Sequence, residues 1–304
     1  MIPLQDRRSF LKTTTGLLAA GMTGFGFSAK KKDLLLSFST LGCPDWPLDK
    51  IILFAKEHRY KGIEIRGIQR ELNLVKCNAF NSPEKIKASK KMVKDAGISF
   101  VNLGASSALH HPAGAERTKS IDEAKQFIDL AQALGCPYIR VFPNNLPKEQ
   151  EKKATLDLIK EGMTVLGDHA KGSGVTVLME THGDVVYTAD LVYIMQDLNH
   201  PQTGLVWDIV NMWSVTKETP AEVYPKLKPF IRHTHIKDFR MKDGKMLYTL
   251  LGRGESPIYQ AIDILRKDDF NGYYSFEWEK LWHPEIEEPE IALAAYASTM
   301  KYLK

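Results

Sequence analysis

The chain has 304 residues, 43% apolar and 26% charged, with 21 Gly and 15 Pro, a composition that excludes a disordered or fibrous protein and can bury a large core. Part of the formal net charge of +4 sits in Arg7, Arg8 and Lys12 against Asp6, so the rest is close to balance and lacks the basic footprint of a general nucleic-acid binder. Cys43, Cys77 and Cys136 lie far apart, without the paired spacing of a zinc ribbon or a redox site.

Residues 6–12, DRRSFLK, precede an uncharged run of small and apolar residues from Thr13 to Ala29, which gives way to Lys30, Lys31 and Lys32. This reads as a signal peptide over residues 1–29 ahead of one catalytic domain over residues 30–304. The pair Arg7-Arg8 followed by Ser, Phe, Leu and Lys resembles a twin-arginine signal, which implies export of a folded passenger to the periplasm. Phe27 fits a small-x-small cleavage pattern poorly, and an uncleaved segment would leave the protein tethered to the membrane. Beyond it no run approaches the roughly 18 apolar residues of a span, so no membrane span is expected in the mature chain.

From residue 33 short β-like runs alternate with longer amphipathic ones. Eight strands are expected: LLLSFS (34–39), GIEIR (62–66), SFVNLG (99–104), YIRVF (138–142), VTVLME (175–180), GLVWD (204–208), IRHTHIK (231–237) and YYSFEW (273–278). Ser82-Pro83-Glu84 supplies a helix start, and Gly97, Gly135 and the Gly172-Ser173-Gly174 stretch supply stops. Repeated strand-helix units require parallel strands with right-handed crossovers, and eight of them close most economically into an α/β (β/α)8 TIM barrel. A doubly wound open sheet is the alternative, but no strand is followed by a GxGxxG turn. Residues 67–81 and 239–253 stand out as insertions on the catalytic face, the second with a hairpin turn at Lys242-Asp243-Gly244-Lys245. The run from Glu290 to Leu303 is a last helix on the barrel exterior.

Four strand ends in the second half carry groups able to hold a metal: Glu180 in LMETH, Asp208 in VWDIVN, His235 in HTHIKD and Glu277 in SFEWE. In a barrel these ends converge. Three carboxylates and an imidazole suit one divalent cation, Mn2+, Mg2+, Co2+ or Zn2+, and a cation would relieve the repulsion that otherwise forces one carboxylate to take a proton. Any single acidic residue at a strand end is more often a solvated loop group; the case rests on four together. His233 and His235 share a face, so alternation does not choose between them.

The runs IRHTHIKD (231–238), LGRGE (251–255) and NGYYSFEWE (271–279), after LMETH and VWD, resemble the sugar phosphate isomerase/epimerase group. That group belongs to the xylose isomerase-like barrels, with the ketose 3-epimerases, inosose dehydratases and endonuclease IV. The resemblance spans residues 34–304 and implies that Glu180, Asp208, His235 and Glu277 match the four metal ligands of the ketose epimerases, with the two glutamates also acting as acid and base. The H-x-K-D pattern favours His235 over His233, which would lie one layer deeper. Mn2+ is the first choice of metal. Many relatives carry a histidine where this chain has Asn211, and strand two ends in Glu64 and Arg66 instead of extra histidines, which argues against a three-zinc nuclease.

His182 and Lys237 lie two residues beyond expected ligands and are expected substrate contacts, as are Glu64 and Arg140, although that pair could equally form a structural salt bridge. Arg253 in the GRGE turn is a candidate for a distal oxyanion or carboxylate. Trp213 and Trp282 could stack on a sugar, whereas Trp278 should face away from Glu277 into the core. The expected activity is isomerisation or epimerisation of a small-molecule carbohydrate by proton transfer next to a carbonyl, through an enediolate. The alternative is an exported lyase or hydrolase cleaving 3-keto-glycosides with the same metal and base. A non-catalytic sugar-binding barrel is a rival from outside enzyme chemistry.

Overall fold

The computed structural model describes residues 33–198 and 200–303. The signal expected over residues 1–29 lies outside the described residues. Eight strands close into a barrel: β1 (Leu36–Ser39), β2 (Gly62–Ile65), β3 (Ser99–Ala108), β4 (Tyr138–Phe142), β5 (Thr176–Glu180), β6 (Thr203–Asp208), β7 (Ile231–Ile236) and β10 (Tyr274–Phe276). Every neighbouring pair is parallel, and β10 closes the ring on β1 with Tyr274 opposite Leu36. The eight strands match the eight expected from the alternation of the sequence.

Side-chain alternation decides what faces the barrel axis. On β6, Trp207 leans outward onto Tyr224, ring centroids 5.6 Å apart, which turns Val206 and Asp208 inward. On β10, Phe276 stacks outward on Tyr296 at 4.5 Å, leaving Ser275 and Glu277 inward. Tyr296 belongs to the last helix, Pro289–Tyr302, and its hydroxyl donates to the Tyr274 carbonyl, which fixes that helix against the closing strand. Trp278 is fully buried and donates from Nε1 to the Glu287 carbonyl, in the core as its register required.

Helix boundaries follow their caps. Ser82 Oγ accepts from the Lys85 amide at the start of α2 (Pro83–Ala96), after α1 (Leu48–Glu57), and Gly97 ends α2 in the left-handed conformation. Helices α3 (Ala115–Leu134), α4 (Lys152–Ala170) and α5 (Thr188–Leu198) connect the next strands. The β6 to β7 crossover uses two short helices, α6 (Ile209–Thr216) and α7 (Pro220–Leu227), because Lys217 takes a positive φ and Thr219-Pro220 starts a new helix. Among the described residues no helix is long and apolar enough to cross a membrane.

The insertion after β7 is the expected hairpin. β8 (Asp238–Lys242) pairs with β9 (Lys245–Thr249), and Asp243 and Gly244 take the two positive φ angles of a type I′ turn. Its base is held by Asp238, whose carboxylate accepts from the amides of Gly252 (2.9 Å), Gly254 (3.0 Å) and Ser256 (3.3 Å) and from the Ser256 hydroxyl (2.7 Å). A Cβ at Gly254 would collide with this carboxylate and with the Phe239 carbonyl, so the close approach requires glycine. Asp238→Asn replaces one acceptor by a donor facing those amides and should destabilise the fold by about 1–3 kcal/mol. Hydrogen exchange should then accelerate at Gly252 and Gly254; unchanged exchange there would show that Asp238 does not hold the loop.

Candidate metal centre

Each carboxylate and imidazole expected to converge does so at the carboxyl end of the barrel. Glu180, Asp208, His235 and Glu277 are all buried, and one possible ligand atom from each lies within 4.8 Å of the others. His235 Nδ1 is the hub: it is 3.2 Å from Glu180 Oε1, 3.3 Å from Glu277 Oε1 and 3.7 Å from Asp208 Oδ2. Its other nitrogen, Nε2, lies 3.1 Å from Glu64 Oε2. A ring held at one nitrogen by a carboxylate and presenting the other to a cluster of oxygens is the arrangement by which proteins orient a metal-binding histidine.

The remaining partners restrain the carboxylates. Asp208 caps α6 through Oδ1, which accepts from the Asn211 amide at 2.8 Å, and this turns Oδ2 toward the centre. Asn211 Nδ2 also donates to Glu180 Oε1 at 3.3 Å. Lys237 Nζ is 2.8 Å from Asp208 Oδ2, 2.7 Å from Glu277 Oε2 and 2.8 Å from Glu279 Oε1, and Arg140 Nε is 3.0 Å from Glu180 Oε2. Glu180 Oε2 and Asp208 Oδ2 have these cations beside them yet lack a well-directed hydrogen bond. Buried, hard oxygen donors in that condition, together with one imidazole nitrogen, fit a divalent cation.

Protonation states reflect crowding of charge. Burial pushes the Glu277 carboxyl up to about 8, with Glu180 and Glu279 adding to the effect against the pull of His235 and Lys237. Burial would also raise Glu180, but His235 and Arg140 outweigh it and hold that carboxyl below its ordinary range. Burial opposes the charged forms of His235 and Lys237, yet the surrounding carboxylates lift both well above their ordinary values.

The other expected site residues are placed differently from one another. Glu64 is fully buried beneath His235, where its Oε2 is reached by His233 Nε2 at 2.9 Å and by Asn102 Nδ2 at 3.1 Å; it has no face toward a substrate. His233 is accordingly the deeper of the two strand-seven histidines. Arg140 pairs with Glu180 and not with Glu64, donates from Nη1 to the Ala105 carbonyl at 2.8 Å and lies over the Phe142 ring. Lys237 donates to Glu277 and Glu279 and forms a close ion pair with Asp208. His182 turns to Asn144, Nδ1 to Oδ1 3.0 Å, beside the Phe142 ring. Arg253 is exposed in the turn above the hairpin base, outside the cluster. Trp282 is exposed, and Trp213 packs against Phe239 with Lys217 over its ring.

Three participants were not singled out from the sequence. Glu279 shares Lys237, and its position two residues after Glu277 on the same face was the available signal. Asp238 precedes a loop with glycines at 252 and 254, a carboxylate matched to unpaired amides. Tyr248 on β9 reaches back until Lys237 Nζ lies 5.6 Å from its ring, a contact that no local pattern announces.

No curated protein gives a significant sequence match. Solved structures share the fold at low identity. The probable 3-DHS dehydratase AsbF of Bacillus anthracis, involved in petrobactin synthesis, superposes with a TM-score of 0.73 at 18% identity, covering 88% of this chain and 99% of that one. The 3-keto-D-glucoside 4-epimerase YcjR of E. coli gives 0.69 at 15% identity, over 89% and 99%. A xylose isomerase-like TIM barrel protein of Mycobacterium smegmatis in complex with magnesium gives 0.66 at 19% identity, over 89% and 95%. Residues 52–302 match the family described as xylose isomerase-like TIM barrel. With that match covering most of its length, the chain belongs to the xylose isomerase-like TIM barrel family.

Proposed function

We propose that the protein is a divalent-metal-dependent sugar isomerase or epimerase that transfers a proton next to a carbonyl. The observation that carries this reading is the buried set Glu180, Asp208, His235 and Glu277, in which Glu180 and Glu277 face one imidazole from the ends of β5 and β10. Two carboxyls flanking one site can divide the labour of base and acid. Glu180, paired with Arg140, takes the proton from the carbon beside the carbonyl. Glu277, on the other side of the imidazole, returns one. Return to the opposite face of the same carbon gives the epimer, and return to the neighbouring carbon gives the isomer. A divalent cation held by Glu180, Asp208, His235 and Glu277, with Mn2+ as first choice, would polarise the carbonyl and stabilise the charge developing on its oxygen.

The residues around this pair have supporting tasks. Lys237 spreads positive charge over Asp208, Glu277 and Glu279, and Arg140 does so at Glu180, so neither catalytic carboxyl faces the other unshielded. Glu64 fixes the ring of His235 from below. His182, two residues past the end of β5, is the group on that wall available to meet a substrate hydroxyl. The structural neighbour that is a 3-keto-D-glucoside 4-epimerase and the neighbour that is a dehydratase support a second reading, in which the same base eliminates a β-substituent from a 3-keto-glycoside. Export, which the resemblance at Arg7-Arg8 would imply, would bring the enzyme to free or oxidised sugars and adds weight to this second reading.

Solvent deuterium incorporation by Mn2+-loaded protein, followed by mass spectrometry over ketoses, inosose and 3-keto-glycosides, tests the reading. Label without bond cleavage is expected for the isomerase or epimerase, loss of the aglycone for the lyase, and neither across the panel would overturn proton abstraction for these substrates. Glu277→Gln should lower turnover by about 10²–10⁴-fold while sugar still binds; a rate within a fewfold of the parent would remove Glu277 from the mechanism.

Metal loading should also release protons. Glu277 holds one below about pH 8, and His235 holds one more firmly than an ordinary histidine, so both must be displaced as their atoms become ligands. Mn2+ affinity should therefore rise as pH is raised from 6 to 8. Calorimetry in buffers of different ionisation enthalpy reads the proton count, and a pH-independent affinity with no proton release would exclude these two groups as ligands.

A further inference from the structure

Beside the metal centre lies a cation that the proposed reaction does not use. Arg66 follows β2 and is 6% exposed. Its hydrogen bonds go to neutral acceptors, Nη1 to the Gly104 carbonyl at 3.4 Å and Nη2 to the Ser106 hydroxyl at 3.0 Å, and among the described residues no carboxylate forms an ion pair with it. Glu123, Glu277 and Glu180 act on it only from longer range, and Glu123 is itself held by the Ser106 amide and the Ser107 hydroxyl. A buried guanidinium without a carboxylate is costly, and buried charges in proteins are ordinarily paired.

Its neighbour makes the imbalance larger. A Cβ at Gly104 would lie 2.8 Å from Arg66 Cδ and 3.0 Å from Arg140 Nη2, so two guanidinium-bearing side chains converge over a residue that has no side chain of its own. Burial, and then the charge of Arg140, lower the Arg66 guanidinium to about 10. Arg66 also lines a cleft between the ends of β1 and β2 and the segment after β10, together with Thr40, Leu41, Gly67 and Leu281. Arg140 joins this corner to the centre through its contact with Glu180.

We propose that Arg66 and Arg140 form an oxyanion subsite, so that the substrate is a polyhydroxylated compound bearing a carboxylate or a phosphate, held with its charged end on the Glu180 side. The planar donor fork of arginine matches either group. The position of the reacting carbon rests on the proposed isomerase or epimerase reading; the subsite itself does not. A neutral sugar would leave Arg66 buried without a counter-charge, which is the kind of deficit from which a site draws strong discrimination.

Calorimetric titration of the Mn2+-loaded protein with hexuronates, hexose 6-phosphates and their parent hexoses tests the proposal. At least one anionic series should bind tenfold or more tightly than its parents; preference for uronates identifies a carboxylate, preference for hexose phosphates a phosphate. Arg66→Met should abolish the preference and Arg66→Lys should restore part of it, with Arg66→Gln read in place of a methionine variant that does not fold. Equal binding of charged and neutral sugars by the wild-type protein, no binding of any anionic sugar, or a preference that survives Arg66→Met would each overturn the subsite. Deuterium exchange on the same panel separates the two proposals: Arg66-dependent binding without exchange leaves the subsite standing and removes the reaction, while exchange confined to neutral sugars does the reverse.

Discussion

The mouth of this barrel is organised by one constraint, the gathering of five carboxylates in a space from which water is largely excluded. Glu64, Glu180, Asp208, Glu277 and Glu279 approach within contact of two shared cationic centres, His235 and Lys237. Like charges at this density cannot all be ionised without compensation. The protein supplies compensation at fixed places: Lys237 between three carboxylates, Arg140 against Glu180, and the imidazole of His235 at the middle. Protons take up the remainder, which is why Glu277 and His235 hold theirs so firmly. Such a cluster is unfavourable for stability taken alone, and its presence on four separate strands argues for chemistry as its purpose.

The barrel makes the cluster possible by rigid placement. Asp208 ends β6 and Glu277 directly follows β10, each beside an outward ring locked into the helical layer, Trp207 and Phe276. Rotation of either strand would expose an aromatic ring and bury a charge elsewhere. Asp208 gains a second restraint from the helix that starts on it, since one oxygen is occupied by the Asn211 amide. The hairpin adds a wall: Asp238, next to Lys237 in sequence, ties its base to the glycine loop, and Tyr248 stands over the ammonium.

The eight strands, the closing helix and the hairpin turn were legible in the sequence because each depends on local chemistry: period-two alternation, Ser-Pro starts, and an Asp-Gly pair that accepts two positive φ angles. The four residues of the centre were legible because strand ends converge in this architecture. Their outward partners were not. That Lys237 is shared by Glu279, or that Arg140 pairs with Glu180 where Glu64 was the other candidate, depends on side-chain reach across strands, and a linear pattern fixes only the face. Glu64 illustrates the same point. Its strand end suggested a substrate contact, but His235 lies over it and His233 reaches the same carboxylate oxygen, which makes it a support.

Distribution of charge also says something about direction within the site. On the β5 side, Glu180 is covered by Arg140, and Arg66 stands beyond without a carboxylate of its own. On the β10 side, Glu277 and Glu279 share Lys237 with Asp208. The mouth therefore has an axis, with a guanidinium that lacks a carboxylate beside β2 to β4 and mutually compensated charges beside β10. An uncharged ligand would be indifferent to that axis and could enter in either sense. A ligand with one anionic end would be oriented before any hydroxyl was read, and orientation of this kind would let Glu180 and Glu277 keep the separate roles proposed for them.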